Sequence, residues 1–287
     1  MKSARSARSA PGTLPNLFGR ALTAKIKIML RHTHNELVYY QFESLQDAGL
    51  RHGIFTRKGG VSQGIYHSLN LSRSTGDAAE PVRENRRRLL DALGLAPENS
   101  LTSWLVHGNH VRAVSKNDLG QDDVHADGMV TNARGLALTM RFADCSPVMF
   151  YDPRKQVIGL AHAGWMGIVR GVLPALARAM RETHGCDPAD IRACVGPTIG
   201  PEVYEVGEDV AAQVQAAVPE PVLSHRQGHP KPYLNMWKAA EAQLRGAGIG
   251  QVEVAQICTA SNTNEWFSHR AEKGKTGRFG VVIQLDE

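Results

Sequence analysis

The sequence predicts a single α/β domain, and three observations carry that expectation. Residues 136–140 (LALTM), 148–151 (VMFY) and 157–161 (VIGLA) are short apolar runs bounded by turn formers, namely Asp144, Pro147 and the Asp152-Pro153 pair, which is how buried strands read. Over residues 168–184, Val169, Val172, Leu173, Leu176, Ala177 and Met180 recur at spacings of three and four, the stripe of an amphipathic helix that stops at His184-Gly185. Strand-like and helix-like stretches then alternate without an internal repeat. No G-x-G-x-x-G opens a helix, so a nicotinamide or flavin Rossmann site is not expected. At 287 residues, 42% hydrophobic and 21% charged, the chain has enough apolar material for one large core or two small ones.

Taken in order, residues 1–35 are rich in Arg, Ser and Ala and contain no Asp or Glu. They read as a basic, disordered or mis-started N-terminal extension, with a transit peptide as the alternative, outside a folded domain at 36–287. Much of the net charge of +5 sits in that extension, which leaves the remainder near neutral and makes nucleic acid an unexpected partner. Apolar runs of about 18 residues are lacking, so no membrane span is expected. Four irregularly spaced cysteines, Cys145, Cys186, Cys194 and Cys258, fit a reducing compartment, and the cytoplasm is the expected location. The sequence sets no oligomeric state.

From residue 50 the elements follow quickly. Ile54-Phe55 reads as a strand, Lys58-Gly59-Gly60 as a turn, and 69–71 as another short strand. Residues 79–94 carry Val82, Leu89, Leu90 and Leu93 among charges and end in glycine, a surface helix with a solvated arginine face. Ala126-Asp127-Gly128 is a turn whose aspartate can bond its own backbone or orient a metal-bound histidine. Residues 191–195 read as a strand entering the loop GPTIGP, 202–217 as a helix, and the proline-rich 219–232 as a loop. Asn235 caps a helix carrying Trp237, Ala240 and Leu244. Strands over 252–258 and 279–285 close the chain, separated by a loop containing Ser268-His269-Arg270.

Chemistry concentrates where Cys145 and His162 end two of the apolar runs. Strand ends hold side chains rigidly while leaving them open to a ligand. A lone cysteine in apolar surroundings is commonly inert, but WLVHG (104–108) places His107 at the end of a further apolar run. Two imidazoles and one thiolate suit zinc or copper, and three protein ligands leave a fourth position open, as in catalytic sites. The lack of any C-x-x-C argues against a closed structural zinc site. His110, beyond Gly108, is left outside the ligand set.

The series VHGNHV (106–111), ADGMVT (126–131), ADCSPVMFYD (143–152), GLAHAGWMG (159–167), GPTIGPEVYEV (196–206) and FSHR (267–270) resembles the multicopper polyphenol oxidase, or laccase-domain, family. Its members are also described as purine nucleoside phosphorylases and as bacterial peptidoglycan editing factors. The resemblance implies layered β-sheets flanked by helices, an α/β/β/α-type sandwich, over about residue 50 to the C-terminus. It also implies metal ligation by His107, Cys145 and His162, with Zn2+ or Cu2+ as cofactor. Arg57 and Asn70 fall in a family pattern, Arg followed by Gly-Gly-Val-Ser and Ser-Leu-Asn-Leu, which makes them candidate substrate residues. Ser268 and Arg270 are candidates for holding phosphate or ribose. The chain departs from the family pattern at Leu105, Met166 and Ala271, where glutamine, arginine and arginine are usual.

The implied activity is metal-dependent purine nucleoside phosphorolysis of adenosine, inosine or methylthioadenosine, with adenosine deamination, so a nucleoside and phosphate are the expected small-molecule partners. The alternatives are a copper-dependent polyphenol oxidase, a metal-free cysteine hydrolase with Cys145 as nucleophile and His162 as base, and an editing factor. A multicopper oxidase needs many imidazoles, commonly as H-x-H pairs, and of the twelve histidines only His32 and His34 form one. One metal ion is therefore the expected complement.

Overall fold

The computed structural model describes residues 29–47, 49–121 and 124–287. Strands β1 (Met29–His34), β2 (Leu37–Phe42), β3 (Leu50–Phe55), β4 (Ser100–Thr102), β7 (Ala137–Phe142) and β14 (Phe279–Leu285) form one sheet in the order β1-β2-β3-β14-β7-β4. The second sheet runs β13-β10-β8-β9-β6-β5 and is made of β5 (Val111–Ala113), β6 (Gly128–Thr131), β8 (Ser146–Asp152), β9 (Val157–Ala163), β10 (Arg192–Val195) and β13 (Gln251–Val254). A small hairpin joins β11 (Leu223–Ser224) to β12 (Tyr233–Leu234).

The two sheets pack face to face, and helices cover both outer faces. Ile54, Leu138, Met140 and Val281 of the first sheet meet Met129, Met149, Ile158 and Leu160 of the second in a central core. On the outer face of the first sheet, Phe55, Ala137 and Val282 pack against Leu89 and Leu90 of α1 (Ala79–Asp91). On the outer face of the second, Val148, Phe150 and Ala161 pack against α2 (Trp165–Arg170), α3 (Val172–His184), α4 (Glu208–Ala217) and α5 (Met236–Gly246). The α/β/β/α layering is the architecture that the family resemblance implies. Neighbouring residues such as Val148 and Met149 belong to opposite cores, so the strands are buried on both faces and read as continuous apolar runs. Truncating one such side chain, Phe150 for instance, removes contacts worth about 3–5 kcal/mol.

Several boundaries differ from the sequence reading, each for a local reason. Residues 29–34, assigned by sequence to the extension, form β1 and pair along their whole length with β2, so the folded domain starts earlier than residue 36. The rest of the extension lies outside the described residues. The expected helix over 168–184 is two helices, because Gly171 is left-handed (φ 75°) and ends α2 before α3 begins. Residues 202–206 are not helical, since the Val206 N–H bonds Pro232 O and the Leu234 N–H bonds Tyr204 O, tying this stretch to β12. Residues 69–71 are buried but form no strand, and the strand expected over 252–258 ends at Val254. Asn235 caps α5 as expected, its Oδ1 accepting from the Lys238 N–H at 3.0 Å.

Candidate metal centre

Sheet register brings the site together. In the antiparallel β8–β9 pair Pro147 stands opposite His162 and Ser146 opposite Ala163, so Cys145, just before β8, and His162, near the end of β9, share one sheet edge. Gly128 of β6 pairs with Ala161, which puts Asp127 at the same edge, and the His162 N–H donates to Asp127 O at 2.8 Å. β5 lies parallel to β6, and His107 stands in the loop leading into it. One ligand atom from each of His107, Cys145 and His162 lies within 4.8 Å of the others, the one such grouping of three among the described residues.

Two left-handed residues aim these groups. Asp144 (φ 84°) turns the chain between β7 and β8. Its carboxylate accepts from Thr259 Oγ1 at 2.6 Å and from the Arg270 N–H at 2.7 Å, which holds a conformation that aspartate tolerates better than most residues. His107 is itself left-handed (φ 55°), and its carbonyl accepts from Arg170 Nη1 at 2.7 Å. Residues 104–106 are therefore not a strand like the runs before Cys145 and His162. They form a loop bridged to His125, with Trp104 and Val106 exposed. Gly164 is required by a close approach, since a Cβ there would meet Cys145 Sγ at 2.9 Å.

Asp127 is the organising group. Fully buried, it accepts from the backbone N–H groups of Val106 (3.3 Å), His107 (3.0 Å) and Gly108 (2.6 Å), and its Oδ1 lies 3.1 Å from His162 Nδ1. One carboxylate thus fixes the His107 loop and the orientation of the His162 ring, leaving the other ring nitrogen, Nε2, for the cluster. Burial works to raise the Asp127 pKa, but the His162 bond and the backbone N–H groups hold it below the ordinary value.

Charge is paired within the cluster. Burial alone would push the Cys145 thiol up, yet the facing His162 charge and hydrogen bonds from both histidines bring it down to about 6. Burial likewise opposes protonation of His162, but the thiolate and Asp127 raise it to about 9. In metal-free protein the thiolate is thus populated above about pH 6 and is lost as pH falls through that value. Iodoacetamide is expected to modify Cys145 with a half-maximal rate near pH 6, whereas an ordinary thiol would need about pH 9. Cys186, Cys194 and Cys258 are all buried, and burial pushes the first two thiols up, so mass spectrometry should find a single carboxamidomethyl group at neutral pH. A midpoint near pH 9 would remove the paired-charge description.

The cluster opens into a cleft of about 520 Å3 between the loops of both sheets. Trp104, Leu105, Met166, Tyr204, His269 and three arginines, Arg141, Arg270 and Arg278, share its lining with the cluster. Of the four substrate residues read from sequence, only Arg270 reaches this lining, with its guanidinium over the Tyr204 ring. Arg57 is paired with Glu272 at 3.0 Å and lies over Phe267, bracing the 263–272 loop from behind. Asn70 is fully buried, accepting from the Ser72 and Arg278 N–H groups. Ser268 is buried too, with its Oγ accepting from the Ala271 N–H in a capped turn. Sequence reasoning missed Asp144, Arg141 and Arg278. The one available signal for Arg141 was a cation inside the otherwise apolar strand TMRF.

A double-sheet α/β domain with a soft three-ligand group on the wall of a cleft is the class of protein that fold and site define. Residues 51–286 match the model of the multi-copper polyphenol oxidoreductase laccase family, and the chain belongs to that family. It is 41% identical over 234 residues to a purine nucleoside phosphorylase of Deinococcus radiodurans, covering 82% of this chain and 88% of that one. The purine nucleoside phosphorylase YlmD of Geobacillus stearothermophilus is 36% identical over 247 residues, covering 82% and 90%. The crystal structure of YlmD from Geobacillus stearothermophilus superposes with a TM-score of 0.85 at 33% identity, covering 91% of this chain and all of that chain. Among the described residues no helix is long and apolar enough to cross a membrane.

Proposed function

We propose that this chain is a metal-dependent purine nucleoside phosphorylase acting on adenosine or inosine, with adenosine deamination as an accompanying activity. The observation that carries the reading is the His107–Cys145–His162 group on the wall of a cation-lined cleft of about 520 Å3, within the range of small-molecule sites. The names of the relatives supply the substrate class. Two imidazoles and a thiolate within 4.8 Å of one another, with His162 Nδ1 already engaged by Asp127, fit Zn2+, and the same donors would accept Cu2+. A bound ion would supply Lewis acidity and positive charge beside the substrate. The protein's own contribution is placement. His162 and His107 are held by Asp127, Cys145 by the Asp144 turn, and the arginines keep the cleft positive toward an anionic co-substrate.

In phosphorolysis a phosphate oxygen bonds to C1′ of the ribose as the C1′–N9 bond breaks. The bonding pair stays with the purine, which takes up a proton, and the products are ribose 1-phosphate and free base. The only H-x-H pair, His32 and His34, lies on the β1–β2 hairpin and is not part of the cluster, which supports one metal ion rather than a multicopper chain. Zinc-loaded protein is expected to release adenine from adenosine, or hypoxanthine from inosine, only when phosphate is present, with phenol oxidation requiring added copper. Phenol oxidation without copper and no base released would reverse the assignment.

A second reading, a cysteine hydrolase, is favoured by one observation, the Cys145–His162–Asp127 line of charge, which has the form of a nucleophile, a base and its orienting acid. Metal content separates the two readings. A hydrolase keeps its activity when stripped with a chelator, while the phosphorylase loses activity and regains it with zinc.

A further inference from the structure

We propose that Arg141 and Arg278, with the hydroxyls of Ser72 and Ser74, form a seat for a tetrahedral oxyanion on the wall of the metal-site cleft. All four residues line that cleft together with His107, Cys145 and His162. The seat deepens the phosphorolysis reading by saying where the anion is held, and it rests on that reading for the anion's role but not for its binding.

Among the described residues most other arginines have a carboxylate partner, for example Arg51 with Asp286, Arg57 with Glu272 and Arg192 with Asp47. Arg141 and Arg278 have none among the described residues. Arg141 Nη2 donates to Ser103 O at 2.9 Å, and Arg278 Nη1 donates to Thr276 O and Gly277 O. Carbonyl oxygens fix a guanidinium but do not neutralise it, and each fork carries five donors, so N–H groups remain for a ligand. Both cations are only partly exposed: burial, then the charges of Arg86 and Arg278, pull Arg141 down to about 10, and burial lowers Arg278 against the attraction of Cys145, Asp144 and Glu272. A protein holds two half-buried like charges together at a cost that a bound anion relieves.

The surrounding backbone is built to keep them there. Buried Asn70 accepts from the Ser72 N–H at 3.1 Å and from the Arg278 N–H at 2.8 Å, joining the serine loop to the start of β14. Ser72 Oγ and Ser74 Oγ lie 2.8 Å apart and offer hydroxyl donors on the same wall. Asn70 is thus a positioning residue for the seat. The chemistry recognised is that of phosphate, whether as the free ion or as the 5′-phosphoryl group of a nucleotide.

Equilibrium binding tests this without turnover. Inorganic phosphate titrated into the zinc-loaded protein by calorimetry should bind at one site, with affinity falling about tenfold or more in Arg141→Met and in Arg278→Met. The Cys145→Ala variant, inactive under the proposed function, should still bind phosphate. Added phosphate should raise the melting temperature of the wild type and leave that of the arginine variants unchanged. Arg141→Gln and Arg278→Gln, closer in shape, repeat the measurement if a methionine variant does not fold. Phosphate and adenosine binding side by side would identify the free ion as occupant. Tighter binding of adenosine monophosphate than of adenosine, reversed by phosphate, would identify the nucleotide. Either supports the seat. Undetectable phosphate binding, or binding unchanged in all the arginine variants, overturns it. Phosphate binding without phosphorolysis would instead overturn the proposed function and leave the seat standing.

Discussion

Cys145→Ala is expected to empty the metal site and abolish activity together while leaving the fold intact. Sγ is one of three candidate ligands, and the only anionic one. Zinc held by four protein ligands is worth about 10–16 kcal/mol at neutral pH, so about 2.5–4 kcal/mol is lost per ligand, or roughly a hundredfold to a thousandfold in affinity. Cys145 is only half-buried and lies at the margin of the central core, so its truncation opens no large cavity. Metal per chain by mass spectrometry, with circular dichroism as the control for folding, reads the outcome. A folded variant with full metal and full turnover would remove Cys145 from the site.

The second large effect should come from Asp127→Asn, which touches no substrate. An amide cannot accept from three backbone N–H groups and face His162 Nδ1 as a carboxylate does, and its own NH2 is driven against a donor. Loss of such an orienting carboxylate typically weakens metal binding by about 10–100-fold. A buried, imperfectly bonded group should also destabilise the fold by about 1–3 kcal/mol. The pH dependence has a definite sign. Asp127 has a depressed folded pKa, so its contribution is complete above the unfolded value of about 4 and is lost as pH falls through the folded one. The gap in stability between wild type and variant should therefore be constant from neutral pH down to about 5 and close only in more acid solution. Urea denaturation across that range measures it. A variant with wild-type stability and metal affinity would show that His107 and His162 are held by other contacts.

The strands of the sandwich were legible because they are buried on both faces, whereas the layering itself followed from the family resemblance. β14 was read with its actual limits, and β8 and β9 to within two residues, since unbroken apolar runs such as VMFY need no partner to be recognised. Cys145 and His162 were legible for the same reason, standing at the ends of such runs. His107 was found through a resemblance between runs that the structure does not share, for residues 104–106 form a loop with an exposed tryptophan. Elements that depend on distant partners were hidden. β1 exists only because β2 folds back on it, and residues 204–206 are extended rather than helical because β12 lies beside them. Arg57, Asn70 and Ser268 sit in recognisable motifs, yet they serve the loops around the cleft rather than its lining. A motif marks a constraint without saying whether the constraint is contact with a ligand or support of the wall behind it.

The place of β14 gives the chain an order of assembly. It lies between β3 and β7 in the centre of the first sheet, paired with residues more than two hundred and more than one hundred positions earlier. On a ribosome, that sheet remains in two unjoined parts until residues 279–285 have been made, and contacts so far apart in sequence are slow to close. The strands of the second sheet all lie between residues 111 and 254, so the edge that holds Cys145, His162 and Asp127 can form while the first sheet is still open. In a nascent chain, His107, Cys145 and His162 can come together before Arg278 arrives to finish the cleft.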